Sequence, residues 1–210
     1  MRLDRITPII LAAGDSARMG FPKALLPIGQ DTFISRILNT LEHVGMKGTT
    51  VVLGSHAGQI EPRIRDRRVR VIVNPRPSDG QLSSIKLALS TLDPASEACM
   101  LWPVDQPGIS ETLVRTLILK FASSNAHLAL PQCRERRGHP AVLRRLLFQE
   151  IMDTPLQEGL KPLVLRHQPD MALLPTDESA VIEDIDTPED YFHLTGIRLE
   201  EALGISRAND

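Results

Sequence analysis

The sequence is poor in the residues that characterise several large classes of protein. It has two cysteines, Cys99 and Cys133, in 210 residues, too few for a disulfide framework or a four-cysteine zinc site. Aromatic residues make up 3% of the chain, and basic and acidic residues nearly balance, for a formal net charge of −2. This balance excludes a global electrostatic field directed at nucleic acid or a membrane surface.

Long apolar runs are also lacking. No segment approaches the roughly 18 apolar residues that a membrane-spanning helix needs, and Asp4 and Arg5 interrupt the start, where a signal peptide would carry its apolar core. We therefore expect a cytoplasmic protein that binds neither membrane nor nucleic acid. Five arginines occur in residues 63–70, and the negative charges of Glu61 and Asp66 partly offset their positive charge. We therefore interpret this run as a solvated face.

Strand-like and helix-like segments alternate along most of the chain. The helical segments space their apolar residues three and four apart, and the strand-like segments are short apolar runs. We predict strands at 6–11, 49–55, 69–75, 98–105, 126–132, 171–176 and 180–185, and helices at 31–44, 83–92, 110–124, 143–153 and 187–197. The alternation indicates a Rossmann-like, three-layer α/β/α protein with a mostly parallel central sheet. No long linker divides the chain, so we predict a single domain, 1–210.

The segment LAAGDSARMGFPKALLP, residues 11–27, directly follows the first predicted strand. Ligands of parallel sheets bind beyond the carboxyl ends of the strands. Gly14 and Gly20 permit unusual backbone conformations and close approach of a ligand, and Arg18 and Lys23 offer positive charge to phosphate oxygens. The spacing matches neither the P-loop nor G-x-G-x-x-G. On the residues alone, a phosphate-binding loop and a simple strand-to-helix turn are equally open.

This segment strongly resembles the signature of the nucleotidyltransferases that share a glycosyltransferase-A-like fold. Further motifs follow in the order seen in one branch, the molybdenum cofactor cytidylyltransferases and their MobA-like relatives: VVLGSHA (51–57), VNP (73–75), DGQLSSIKLAL (79–89), WPVDQP (102–107), RRGHPAVL (136–143) and DIDTPEDY (184–191). The resemblance implies the fold of that superfamily and transfer of a nucleotidyl group from a nucleoside triphosphate to a phosphorylated acceptor. In this branch, the sequence LAAG (11–14) instead of LAGG and the tripeptide GSH (54–56) favour CTP as the nucleotide.

The resemblance also implies a nucleotide-binding set. Its members are Leu11, Ala12, Ala13, Gly14, Ser16, Arg18, Lys23, Ser55, Gly80, Ser83 and Ser84. Arg18 and Lys23 would act on the phosphates and, with Asp105, would carry catalysis. Ser83 and Ser84 have an alternative role, because two serines at the start of a helix are also common caps.

Carboxylates at two predicted strand ends are candidate ligands for Mg²⁺, the cofactor that the resemblance implies. The carboxylate of Asp105 could hold the metal against the triphosphate, or it could cap the turn that follows. Asp184 and Asp186 alternate at the end of the predicted strand 180–185, and if the extended backbone continues through Asp186 they share a face. We predict Asp105 and Asp186 as the ligands. Asp184 is the alternative to Asp186, and capping of the last helix is the competing role of Asp186.

The acceptor site is expected around His139 and Lys161. In similar proteins the GHP motif lies beside the acceptor, although a lone histidine is more often a structural hydrogen-bonding residue. Lys161 stands where molybdopterin enzymes tend to carry an arginine, and a lysine binds phosphate without bidentate geometry. We predict transfer of CMP from CTP to molybdopterin.

Two alternatives stay open. The first is the same reaction on a sugar phosphate or polyol phosphate, which the lysine at position 161 favours. The second is a non-catalytic carrier that binds the molybdopterin cofactor and delivers it through transient contact with a molybdoenzyme. Such a carrier has no need for Arg18, Lys23 and Asp105, which favours the enzyme.

Overall fold

The structure, a computed structural model, describes residues 2–205. The helices are α1 (Phe33–His43), α2 (Ala57–Ile64), α3 (Gln81–Ser90), α4 (Glu111–Ala122), α5 (Phe148–Asp153), α6 (Lys161–Arg166), α7 (Pro188–Thr195) and α8 (Leu199–Ala202). The strands are β1 (Ile6–Ala12), β2 (Pro27–Ile28), β3 (Asp31–Thr32), β4 (Thr50–Leu53), β5 (Arg70–Val73), β6 (Ala98–Pro103), β7 (Leu128–Cys133), β8 (Arg136–Arg137), β9 (Ala141–Arg144) and β10 (Met171–Pro175). Within residues 2–205, every helix is too short or too polar to cross a membrane.

A single large sheet organises these elements. Its strand order is β10–β7–β9–β6–β1–β4–β5, with β8 paired to β7. Strands β6, β1, β4 and β5 run parallel, as do β10 and β7, whereas β9 runs antiparallel to both β6 and β7. The predicted, mostly parallel sheet is therefore confirmed.

Apolar side chains on the two faces of the sheet form two separate clusters. Along β1, Ile10 and Ala12 pack on one face and Ile9 and Leu11 on the other, because successive side chains of a strand point to opposite faces. Helices α1, α2 and α4 cover the first face, and α3, α5 and α6 cover the second. The three-layer α/β/α architecture is thus confirmed. Both clusters pack against the same sheet, and the single domain stays a prediction.

Two predicted elements differ from the structure. The predicted helix 143–153 begins too early, because Ala141–Arg144 forms β9, Arg145–Leu147 forms a 3₁₀ turn, and the α-helix covers only Phe148–Asp153. Leu143 pairs across the sheet with strands on both sides, and this pairing outweighs the local helical spacing. The predicted strand 180–185 is a 3₁₀ turn, Ser179–Val181, followed by irregular chain.

Two helices at the carboxyl edge of the sheet begin where the sequence predicts. The hydroxyl of Ser110 caps α4 by accepting a backbone N–H from its first turn. Thr187 and Asp190 form a capping box at α7, with Pro188 at its first position. This box fixes the backbone next to Asp186.

Close packing of two loops at the same edge requires a glycine. A Cβ atom at Gly54, which follows β4, would lie 2.1 Å from the carbonyl oxygen of Ala13. Real Cβ atoms do not approach a backbone oxygen this closely, so the lack of a side chain at position 54 lets the loop after β4 pack on the loop after β1.

Gly54→Ala should therefore destabilise the fold by about 1–3 kcal/mol, because the added methyl group forces the two backbones apart. Gly58→Ala is the matched control: Gly58 lies in α2, where an added Cβ meets no atom within 4 Å, and alanine favours helices. Urea unfolding followed by circular dichroism measures both variants. Wild-type stability of Gly54→Ala would contradict the close packing.

Candidate functional site

A cavity of about 260 Å³ opens beyond the carboxyl ends of β1 and β6. Every residue from Leu11 to Arg18 lines it. Of the residues predicted for the nucleotide and the metal, its wall contains Leu11, Ala12, Ala13, Gly14, Ser16, Arg18, Lys23, Gly80, Ser84, Asp105 and Asp186. The fold thus brings most of the predicted site together at the edge where parallel sheets bind ligands.

The loop after β1 owes its shape partly to a left-handed residue that is not a glycine. Ser16 has a φ of 56° and Gly20 a φ of 70°, whereas Gly14 does not have a positive φ. The carbonyl oxygen of Ser16 accepts the N–H of Gly20 at 3.0 Å, and its hydroxyl accepts the N–H of Lys23 at 3.1 Å. The expectation of an unusual backbone conformation is therefore confirmed for Gly20 and wrong for Gly14. At Gly14, where an added Cβ would meet no atom within 4 Å, the loop offers open space to a ligand.

Lys23 lies between two carboxylates in the wall of this cavity. Its Nζ contacts Oδ2 of Asp105 at 3.0 Å and also contacts Oδ1 of Asp186. Nη2 of Arg18 reaches Oδ2 of Asp186 at 2.8 Å. The side chain of Lys23 is 12% exposed and that of Arg18 is 69% exposed, so Lys23 is fixed in the wall while Arg18 lies at the opening.

These charges shift one another's pKa values. Burial would lower the pKa of Lys23, but Asp105 and Asp186 outweigh it and raise the pKa above its ordinary value. Burial raises the pKa of Asp105, although Lys23 opposes this. Burial would also raise the pKa of Asp186, but its contacts with Lys23 and Arg18 lower it. Lys23 is therefore protonated at neutral pH, and it stabilises carboxylates that the surrounding protein desolvates.

The second carboxylate oxygen of Asp105 favours a metal-binding role. Oδ1 is buried and has no hydrogen-bond partner within residues 2–205, and in the same part of the chain the side chain of Asp105 hydrogen-bonds to Lys23 and caps no turn. Buried polar atoms without a partner are rare in folded proteins. Carboxylate oxygens are the ligands that Mg²⁺ prefers, so Asp105 together with Asp186 fits such an ion.

The structure separates the two candidates for the second ligand. Asp186 lines the cavity, whereas Asp184 is absent from its wall and accepts a hydrogen bond from Nε2 of Gln106 at 2.7 Å. The capping role considered for Asp186 falls to Asp190, whose carboxylate accepts the N–H groups of Asp186 and Thr187. The carboxylate of Asp186 is thus available to the charged cluster.

The predicted serines also differ in whether they lie in the cavity wall. Ser84 is buried in the cavity wall, and its hydroxyl accepts a hydrogen bond from Nδ2 of Asn74 at 3.0 Å. Ser83 is absent from the wall, because its hydroxyl donates to the carbonyl oxygen of Gly80 at 2.7 Å and so tightens the start of α3. Ser55 is exposed and also absent from the wall. The structure therefore brings Ser84, but not Ser83 or Ser55, to the cavity.

Sequence reasoning missed several residues of this wall, among them His56 and Gln81. His56 donates from Nε2 to the carbonyl oxygen of Asp15 at 2.9 Å, and Gln81 begins α3. Each directly follows a residue that was predicted for the nucleotide, Ser55 and Gly80. Extending those motifs by one position would have found both.

A second cavity, of about 380 Å³, shares Leu11 and Gln81 with the first. Both predicted acceptor residues, His139 and Lys161, line it, as does Arg137, which sequence reasoning missed although it stands in the same RRGHP motif. The rest of its wall is mainly aliphatic: Ile85, Leu101, Leu128, Leu130, Ala141, Leu143, Leu160, Val164 and Leu165. The cavity therefore combines an apolar interior with a few polar and cationic groups.

His139 is held in this wall by its backbone. Its N–H donates to the carbonyl oxygen of Val181 at 2.9 Å, and a Cβ at Gly138 would lie 2.0 Å from the same oxygen. Burial lowers the pKa of His139, against the attraction of Asp184 and Asp105. The imidazole is therefore neutral at pH 7 and offers hydrogen bonds rather than charge.

Known proteins resemble this chain over most of its length. The family described as "MobA-like NTP transferase domain" matches residues 8–171. The nicotine blue oxidoreductase of Paenarthrobacter nicotinovorans is 32% identical over 90% of this chain and 96% of its own. The molybdenum cofactor cytidylyltransferase of Escherichia coli K12 is 27% identical over 90% of this chain and 95% of its own.

A solved structure extends the likeness to the fold. The crystal structure of Rv0371c from Mycobacterium tuberculosis H37Rv has a TM-score of 0.82 and 27% identity, and it covers 94% of this chain and 100% of its own. The family match spans the sheet apart from the first two residues of β1 and most of β10, and it includes most of both cavity walls. The chain therefore belongs to the MobA-like NTP transferase family, whose members are nucleotidyltransferases of this α/β fold.

Proposed function

We propose that the protein transfers CMP from CTP to a phosphorylated acceptor, with Mg²⁺ as cofactor and pyrophosphate as the second product. The convergence of Arg18, Lys23, Asp105 and Asp186 on one cavity supports this most strongly. The second cavity supports it further, because it shares wall residues with the first. Transfer between two small molecules requires a donor site and an acceptor site that adjoin.

In this reaction an acceptor phosphate oxygen attacks the α-phosphorus of CTP, and the bond to the β-phosphate oxygen breaks. The protein contributes positioning and charge neutralisation. The loop 11–18 and the guanidinium of Arg18 would hold the triphosphate, and Lys23 would move from its carboxylates to the phosphates. Asp105 and Asp186 would hold Mg²⁺, which supplies positive charge at the phosphate oxygens.

The lining of the second cavity favours molybdopterin over a sugar or polyol phosphate. Hydroxyl groups buried among aliphatic side chains would lose their hydrogen bonds to water without replacement, whereas a flat ring system can pack on such a wall. Arg137 and Lys161 supply positive charge for the phosphate of the acceptor. Neutral His139 can hydrogen-bond to the ring or to the phosphate.

The charged cluster also weighs against two functions of other classes. A non-catalytic cofactor carrier needs no pair of carboxylates bridged by a lysine beside a phosphate-binding loop. The same cluster has no evident use in an oxidoreductase, the activity in the name of the 32% identical relative. Both functions predict no pyrophosphate release, which makes them distinguishable by experiment.

The test is incubation of the protein with each nucleoside triphosphate, Mg²⁺ and a panel of phosphorylated acceptors that includes molybdopterin, with pyrophosphate release as the readout. We expect release with CTP and molybdopterin together. Binding of the cofactor without any release would favour the carrier, and redox turnover without nucleotide would favour the oxidoreductase.

CTP with Mg²⁺ should raise the melting temperature more than GTP, ATP or UTP at equal concentration. A ligand that binds only the folded state stabilises it by about 2.7 kcal/mol at a hundred times its dissociation constant. The motifs LAAG and GSH favour CTP for this role. Thermal shift measurements compare the four nucleotides, and a larger shift with GTP would overturn the CTP assignment.

Arg18→Ala and Lys23→Ala should each weaken CTP binding by about ten- to a hundred-fold, because each removes a charge-assisted contact with the triphosphate. Their effects on the free protein should differ. Arg18 is largely exposed, so its loss should change the free energy of unfolding by no more than about 0.5 kcal/mol. Loss of Lys23 leaves two desolvated carboxylates facing each other, at a cost of about 1–3 kcal/mol.

Calorimetric titration of CTP, together with melting curves of the free proteins, separates these effects. Lys47→Ala removes an exposed lysine elsewhere and serves as the control. Wild-type CTP affinity in both Arg18→Ala and Lys23→Ala would refute the phosphate-binding role of the loop.

Asp105→Asn should preserve the fold and lower turnover at least about 100-fold, because an amide is a much poorer ligand for a hard cation than a carboxylate. Asp184→Asn is the matched control, since the amide oxygen can still accept the hydrogen bond from Gln106. Turnover with Mg²⁺ and binding of Mn²⁺ in the presence of CTP measure both variants. If Asp105→Asn behaves like the wild type, Asp105 does not bind the metal.

A further inference from the structure

Two histidines and an aspartate lie together at the edge of the sheet where β7 and β10 begin. His127 precedes β7, Asp170 precedes β10, and His167 follows α6. One ligand atom from each of these side chains lies within 4.8 Å of the other two. We propose that His127, His167 and Asp170 bind a divalent transition metal ion such as Zn²⁺, at a site separate from the nucleotide and its Mg²⁺.

The distances between the ligand atoms suit such an ion. Nδ1 of His127 lies 3.1 Å from Nδ1 of His167 and 3.6 Å from Oδ2 of Asp170. In a tetrahedral zinc site, metal–ligand distances of about 2.0–2.1 Å place neighbouring ligand atoms about 3.3–3.4 Å apart. The two observed separations bracket this value, so small movements of the side chains would bring the three atoms around one ion.

Main-chain hydrogen bonds connect the three residues to one another. The N–H of His127 donates to the carbonyl oxygen of Asp170 at 2.8 Å, and the N–H of Asp170 donates to the carbonyl oxygen of His167 at 3.1 Å. The backbone of the three ligands is thus linked before any metal binds, which lowers the entropic cost of assembling the site.

A fourth side chain supplies an independent indication of metal binding. Nε2 of His167 donates to Oε2 of Glu150 at 2.6 Å, and Nε of Arg166 donates to Oε1 of the same carboxylate at 2.8 Å. The carboxylate fixes the proton of His167 on Nε2, which leaves the lone pair of Nδ1 directed at the cluster. Metal-binding histidines are typically oriented by a carboxylate in this way.

The ligand chemistry separates this site from the nucleotide site. Two imidazole nitrogens and one carboxylate favour Zn²⁺, Cu²⁺ or Ni²⁺, whereas a site of carboxylates alone favours Mg²⁺ or Mn²⁺. A bound ion would link the end of α6 to the start of β7. Because Lys161 and Val164 on α6 line the second cavity, the ion would also stabilise the wall of that cavity.

The experiment titrates the full-length, chelator-treated protein with Zn²⁺ against a chromophoric chelator, and with Co²⁺ followed by visible absorption. We expect one Zn²⁺ per chain, a rise in melting temperature, and Co²⁺ absorption bands of a nitrogen-ligated ion. His127→Gln and His167→Gln should each weaken Zn²⁺ binding at least about 100-fold. Glu150→Gln should weaken it by about 10–100-fold, since it removes only the orienting carboxylate.

Two controls make the result specific. His193→Gln changes an exposed histidine on α7, and Asp105→Asn disables the proposed Mg²⁺ site; both variants should bind Zn²⁺ like the wild type. Circular dichroism of the zinc-free variants shows whether they fold. Equal Zn²⁺ binding by folded His127→Gln, by folded His167→Gln and by the wild type would overturn the proposal, and so would no binding by the wild type. In either case His127 and His167 form a hydrogen-bonded pair only.

Discussion

The contact of Lys23 with Asp105 and Asp186 is the interaction on which the first cavity depends. It joins the loop after β1 to the end of β6 and to the segment before α7, across separations of 82 and 163 residues. Two desolvated carboxylates that face each other repel unless a cation lies between them. Lys23 supplies that cation in the free protein. In the proposed reaction the carboxylates pass to Mg²⁺, and Lys23 becomes available to the phosphates.

The sheet places the first and second cavities side by side. Strands β1 and β6 end at the charged cavity, while the insertion of antiparallel β9 between β6 and β7 adds aliphatic residues to the second cavity. Leu11 and Gln81 belong to both walls. One cavity is thus suited to a metal-bound triphosphate and the other to an apolar body with an anionic group, and the acceptor phosphate would reach the α-phosphorus where the two meet.

Local patterns predict much of this fold, and long-range contacts decide the rest. The spacing of apolar residues predicts α1 and α4, and caps such as Ser110 predict where helices begin. The same spacing is misleading at Leu143, because pairing with strands on both sides decides its state. In the site, family motifs predict Arg18, Lys23 and Asp105 as a group. They do not predict that Ser84 rather than Ser83 faces the cavity, because that depends on how α3 packs, nor that Lys23 bridges two carboxylates distant in sequence.

The most direct test of the account is a crystal structure of the protein with Mn²⁺ and a non-hydrolysable CTP analogue, with the metal located by its anomalous scattering. The account predicts a metal peak bonded to Asp105 and Asp186, with Nζ of Lys23 moved from these carboxylates to a phosphate oxygen and the triphosphate along residues 11–18. A metal bound by Asp184 would contradict it. So would a nucleotide seated in the cavity lined by Lys161, or Lys23 still held between its two carboxylates with the analogue bound.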